Sequence, residues 1–176
     1  MKPISFCALA LLAGGMVGPF SLAKDKNDPI SDKLRSRLGA DLIERLQKAD
    51  RVEAFLIGST PAKGKKTIGG YPIKETNEKL DKDFVKNLRA VLLQDKTYFG
   101  RQARCFLPGV AFRMHSGKQT VDVVICFRCE NLRLTSQGNV SSGGGFGPDL
   151  KPLLKLALAA FPKNADLQKL MKGKTE

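Results

Sequence analysis

Val110-Ala111-Phe112-Arg113-Met114-His115-Ser116-Gly117-Lys118-Gln119-Thr120-Val121-Asp122-Val123-Val124-Ile125-Cys126 is the stretch that decides the fold. Two apolar runs, Phe106 to Met114 and Val121 to Cys129, flank Gly117-Lys118, a two-residue turn in which glycine supplies the positive φ of a type I′ or II′ hairpin. That turn places Val110 opposite Ile125, Phe112 opposite Val123 and Met114 opposite Val121 on one face, and Arg113 opposite Asp122 on the other. A slip of one residue would lose both the apolar match and the ion pair. A sheet with one apolar face needs a covering layer, so helices are expected against it.

Upstream, Pro108-Gly109 is the expected place for a bulge, because proline cannot donate to a ladder and glycine tolerates positive φ. Arg51 to Ile57 reads as a strand through Val52, Phe55, Leu56 and Ile57. The breaker run Gly58 to Gly64 follows, then a second strand, Thr67 to Lys74. Ser31 caps a first helix with Leu34, Leu38, Leu42, Ile43 and Leu46 at helical spacing, ending near Lys48. Asn77 or Asp81 starts a second, striped by Leu80, Phe84, Val85, Leu88, Val91 and Leu92. Downstream, Glu130 to Leu134 continues the last strand, and Ser141 to Gly147 reads as a flexible Gly/Ser loop. Asp149 caps a helix that carries Leu150, Leu153, Leu154, Leu156, Leu158 and Phe161, with Pro152 in its first turn. Pro162 ends it and Asn164 caps a short final helix. The expected fold is therefore a single α+β domain in the order α-β-β-α-β-β-α-α, with a four-stranded antiparallel sheet built from two hairpins and helices packed mainly on one face.

Composition sets the class. The 176 residues carry a net charge of +13, yet 42% are hydrophobic and 27% charged, enough apolar material for a core and unlike a disordered tail. One His and no Trp leave little for a metal-hydrolase site or an aromatic cage. Met1-Lys2, the apolar run Ile4 to Val17 and Ser21-Leu22-Ala23 have the form of a secretory signal over residues 1–23. That run falls short of the ~20 apolar residues of a membrane span, contains Gly14 and Gly15, and is followed by Gly18 and Pro19. Residues 24–176 are then the mature domain, with a polar leader and a basic C-terminal tail, located in the periplasm or secreted. Cleavage removes Cys7, leaving three of the four cysteines. An odd count in an oxidising compartment implies one disulfide and one spare thiol, or a shared site.

Those three, Cys105, Cys126 and Cys129, are the sharpest chemical feature. Cys126-Phe127-Arg128-Cys129 is a C-x-x-C, but a redox pair of that spacing sits at a helix N-terminus, where the dipole favours thiolate. In an extended strand its cysteines lie ~10 Å apart, beyond the ~7 Å a disulfide spans, so they cannot bridge without a local turn. One extra residue at Pro108-Gly109 brings Cys105 opposite Cys129, which makes Cys105–Cys129 the expected disulfide, ahead of Cys105–Cys126 and of a three-thiolate zinc site. His115 lies at the hairpin tip, about 20 Å from the sulfurs along the strand, and is read as a polar hairpin residue. No cofactor is implied unless zinc occupies the three thiolates.

Gly58 to Thr67 falls short of a phosphate-binding loop, which requires G-x-x-x-x-G-K-[ST]. Five residues separate Gly58 from Gly64, and Lys66 stands where a hydroxyl is needed. The basic residues cluster: Lys63, Lys65 and Lys66 on the first hairpin loop, Lys163, Lys169, Lys172 and Lys174 near the C-terminus, and Lys24, Lys26, Lys33, Arg35 and Arg37 near the other end. Such clusters attract anionic polymers and envelope surfaces, with Lys63, Lys65 and Lys66 the candidate anion site. No aromatic residues are interleaved to form a base-stacking groove, so sequence-specific nucleic-acid binding is not expected.

The run Ala49 to Phe55, then Cys105-Phe106-Leu107-Pro108-Gly109-Val110-Ala111-Phe112-Arg113 and Val121 to Cys129, resembles a family of small exported bacterial proteins over most of the mature chain. The family has a C…P-G-V-A-F…C-F-x-C pattern and no established activity. The resemblance implies a bacterial source and directs attention to Cys105, Cys126 and Cys129, without choosing between structural and chemical roles.

Two function classes follow. One is an exported, non-enzymatic binding or accessory domain for a protein partner or an anionic envelope component. The alternative is a thiol-redox or zinc-binding protein that uses Cys105, Cys126 and Cys129. Export itself is directly testable: mass spectrometry of protein recovered outside the cytoplasm is expected to find Lys24 as the first residue, and an intact Met1 on membrane-bound protein would remove the basis for a disulfide.

Overall fold

The computed structural model describes residues 30–62, 66–100, 104–136, 139–146 and 151–173. The signal segment, the leader before Ile30, Lys63, Lys65 and the Asp149 cap lie outside these. Two short helices, α1 (Asp32–Leu38) and α2 (Ala40–Lys48), open the fold. Ser31 caps α1 by accepting from the Leu34 N–H, as its position predicts. The single helix expected through Lys48 is broken at Gly39, where φ is 78°; helical spacing of the leucines persists across the break, so the sequence pattern alone does not show it.

The sheet has seven strands, not four: β1 (Arg51–Ile57), β2 (Thr67–Ile68), β3 (Tyr71–Asn77), β4 (Val110–Ser116), β5 (Gln119–Cys126), β6 (Asn131–Ser136) and β7 (Asn139–Gly145). Their order is β2-β3-β1-β4-β5-β6-β7, and every pairing is antiparallel. The sheet curls. Three readings of the chain account for the difference. Gly69 and Gly70, at φ of 56° and 86°, fold the expected second strand into the small hairpin β2/β3. Glu130, at φ 51°, reverses the chain where a continuing strand was expected. The Gly/Ser run read as a loop is strand β7.

The β4/β5 hairpin has the register derived from its residues, Val110 with Ile125 through Met114 with Val121, and Gly117 carries the positive φ of 59°. Arg113 grips Asp122 with two hydrogen bonds of 2.7 and 2.9 Å. Val110, Phe112, Met114, Val121, Val123 and Ile125 join one core with the apolar faces of α1, α2, α3 (Lys82–Leu92), α4 (Lys151–Ala160) and α5 (Ala165–Lys172). Asp81 caps α3 and Asn164 caps α5. The opposite face carries a smaller cluster of Phe55, Ile57, Ile68, Tyr71, Ala111 and Val124, against which Phe106 packs. The helices thus lie on one face, and the chain remains a mixture of helix and sheet.

Why glycines form β7 is steric. A Cβ on Gly144 would come 2.5 Å from the Tyr98 carbonyl oxygen, and Phe99 and Gly100 bridge to Gly145. Tyr98 itself is buried and donates its hydroxyl to the Leu92 carbonyl at 2.7 Å. Gly144→Ala is therefore expected to destabilise the protein by about 2 kcal/mol through overpacking against backbone, whereas Gly109→Ala enters open space and is expected to change little. Urea melts of the two variants check this; coincident midpoints would show that β7 does not need the close approach.

Candidate functional site: a three-cysteine cluster

β5 ends at Cys126 and β6 begins at Asn131, so the four residues Phe127-Arg128-Cys129-Glu130 carry the reversal. The reversal brings the Cα atoms of Cys126 and Cys129 to 5.3 Å, and these two cysteines form the disulfide. This corrects the expected Cys105–Cys129 bridge. The expectation assumed extended spacing through the C-x-x-C, and the turn that begins at Phe127 removes that premise. Both cysteines are buried, and the Cys129 N–H donates to Cys126 Sγ at 3.2 Å.

Cys105 is an exposed thiol, and its Sγ lies 3.1 Å from Cys129 Sγ. All three cysteines therefore meet at one end of the sheet. Phe106 holds the third one there. Its ring packs at 6.2 Å from Tyr71 and lies 4.0 Å beneath the Arg133 guanidinium. The Gly109 N–H then donates to the Ile125 carbonyl, one residue off the hairpin register that begins at Val110. The chain entering β4 is thus pinned on both sides of Pro108.

An open cleft of about 530 Å³ adjoins the cluster. Phe127 and Arg128 of the C-x-x-C line it, with Leu107 and Pro108 from the Cys105 segment and Leu167 and Leu170 from α5. Leu107 is 59% exposed, unusual for a large apolar side chain in this structure. Of the candidate anion residues, Lys66 is exposed and stands in the loop before β2, while Lys63 and Lys65 lie outside the described residues. Gly143 to Gly145 belong to β7.

His115 is far from the sulfurs along β4, and its surroundings were not legible in the sequence. Its Nε2 meets Glu53 Oε2 at 3.0 Å, and its Nδ1 meets an Arg51 nitrogen at 3.0 Å. Arginine can only donate and a carboxylate only accepts, so Nε2 donates its proton to Glu53. Arg51 also donates to Glu53 at 2.8 Å. The signal was the alternation of Arg51 and Glu53 along β1, which could be interpreted only once β1 was known to pair with β4.

No family model, curated protein or solved structure matches the chain.

Burial opposes ionisation of Glu53, but hydrogen bonding and charge from His115, followed by Arg51, outweigh it and hold the carboxyl below its ordinary value of 4.5. A depressed folded pKa stabilises the protein above the ordinary carboxylate range, and that contribution fades as pH falls below 4.5. Glu53→Gln is therefore expected to cost about 1 kcal/mol at pH 7, with the gap from wild type closing toward pH 3. Denaturant melts at several pH values measure the gap, and a constant gap would show that the effect is packing.

Proposed function

We propose that the chain is an exported protein that carries out thiol–disulfide exchange through Cys105, Cys126 and Cys129. The observation that carries this is the exposed Cys105 thiol, 3.1 Å from a sulfur of the buried Cys126–Cys129 disulfide. Exchange proceeds by attack of a thiolate on a disulfide sulfur, and here thiol and disulfide already touch. A disulfide that serves only to brace a fold needs two cysteines and gains nothing from a third against the bond. Cys105 is also the one of the three that a partner can reach.

The overall reaction balances with a partner that carries two thiols. The partner dithiol becomes a disulfide, and the Cys126–Cys129 disulfide accepts the two electrons and two protons. An exported polypeptide with unpaired cysteines supplies that chemistry. The secretory signal read over residues 1–23 supports the setting, since disulfides persist in oxidising compartments. Binding of a protein partner, the other function class read from the sequence, is supported by the cleft beside the cluster. The two readings share one surface.

The test removes a residue that is not in the resting disulfide. With reduced glutathione as the attacking thiol, Cys105→Ser is expected to slow reduction of the Cys126–Cys129 bond about ten-fold, because both bonded sulfurs are buried and the exposed relay is gone. An unchanged rate would make Cys105 a bystander. Three reduced thiols with stoichiometric zinc in freshly isolated protein would favour a metal site instead.

A further inference from the structure

We infer that the three sulfurs act in a fixed order, with Cys105 attacking Cys129 and Cys126 leaving, and that Asn131 is the positioning residue that receives the freed Cys126 thiol. The inference rests on the exchange reading and assigns its internal step. In that step a Cys105–Cys129 bond forms as the Cys126–Cys129 bond breaks. Cys105 gives up its proton to solvent and Cys126 takes one back, so electrons and protons balance without an outside oxidant. The product is an isomer with the same number of disulfides and a different free thiol.

Three independent observations fix the order. The contact of Cys105 is with Cys129, so attack there expels Cys126. The Cys129 N–H already donates to Cys126 Sγ, and such a bond stabilises the negative charge that develops on the departing sulfur. Finally, Asn131 is 3% exposed and its Oδ1 has no hydrogen-bond partner. Asn131 is the cross-strand partner of Cys126, and directly paired residues of an antiparallel ladder share a face. A buried carbonyl oxygen without a donor is costly. In the resting state Cys126 has no proton to offer, and after exchange it has one. The orphaned oxygen is thus an acceptor whose donor exists only in the other isomer. Among the described residues Thr135 Oγ1 is the other such atom, and it pairs across β5 with Asp122, away from the sulfurs.

The placement of Phe106 fits this role. Held between Tyr71 and Arg133, it keeps the Cys105 segment on the face of the sheet that Cys126 and Asn131 share. Loosening it would let Cys105 leave Cys129 without disturbing the helix-covered core.

Peptide mapping without reductant, after equilibration of the full mature chain at pH 8 and acid quench, reads the isomers directly. Cys126–Cys129 and Cys105–Cys129 are both expected, with no Cys105–Cys126. Asn131→Leu is expected to shift the ratio toward Cys126–Cys129 by about two- to five-fold, the loss of one weak hydrogen bond, while melting at the same or a higher temperature because an unpaired polar group has been removed. Phe106→Ala is expected to slow isomer exchange with the core intact. A Cys105–Cys126 linkage would overturn the order while leaving exchange with glutathione standing. An unchanged ratio in Asn131→Leu would overturn the role of Asn131, and a single isomer in the wild type would overturn the step itself. Loss of the Cys105 dependence of glutathione reduction would instead remove the exchange reading beneath it.

Discussion

One backbone conformation governs the second half of this molecule. Glu130 sits at φ 51°, in the left-handed region that costs a side chain about 1 kcal/mol. With it the chain reverses within four residues, β6 lies against β5, and the Glu130 carbonyl accepts from the Phe146 N–H to tie in the end of β7. Without the turn over Phe127 to Glu130, Cys126 and Cys129 would stand on an extended strand, too far apart to bond. The disulfide closes the same four residues that the left-handed turn opens. Each holds the other in place, and the ladder from β5 to β7 depends on both.

The two faces of the sheet divide the work. The helix-covered face carries the large core, with Phe112, Val123, Ile125, Leu132 and Leu134 buried in it. Among the described residues the other face has no helix on it and uses side-chain chemistry instead: Arg113 with Asp122, Arg51 with Glu53 and His115, and Phe106 beneath Arg133. Ion pairs on a sheet face contribute little stability individually. They do fix register across the strands they join.

Local patterns in the sequence were reliable where one residue type decides one geometry. The Ser31, Asp81 and Asn164 caps, the Gly117 turn and the pairing of Arg113 with Asp122 all follow from nearest neighbours or from a two-residue turn. The strand count did not, because two of its determinants contradict ordinary propensity. Glycines are poor strand formers, yet Gly143 to Gly145 belong to β7, and at Gly144 the Tyr98 backbone passes too close for a Cβ. A glutamate is not a residue from which a left-handed turn is read. The same miss displaced the disulfide. That Cys105 approaches Cys129 was derivable from an irregularity at Pro108-Gly109; that Cys126 lies nearer still required the reversal. Glu53 was invisible as a partner of His115 for a different reason, since the β1–β4 pairing joins segments far apart in sequence.

A cluster of three sulfurs places conflicting demands on its surroundings. A disulfide is protected by burial, and Cys126 and Cys129 are 0% and 2% exposed. Exchange needs access, which a buried pair cannot provide. The third cysteine resolves the conflict by bringing an exposed sulfur into contact with one end of the buried bond. In the proposed exchange, attack passes through Cys105, whose segment is positioned by the Phe106 ring and the Gly109 backbone. The same arrangement explains why the sulfurs sit at the end of the sheet and not in its middle. In the middle, ladder hydrogen bonds on both sides would fix the strand that carries Cys105, and the short reach between two disulfide partners would require breaking them. At the end, Cys105 precedes both β4 and the backbone hydrogen bonds that join Gly109 to Ile125 and Ile57, so it can move without unpairing a strand.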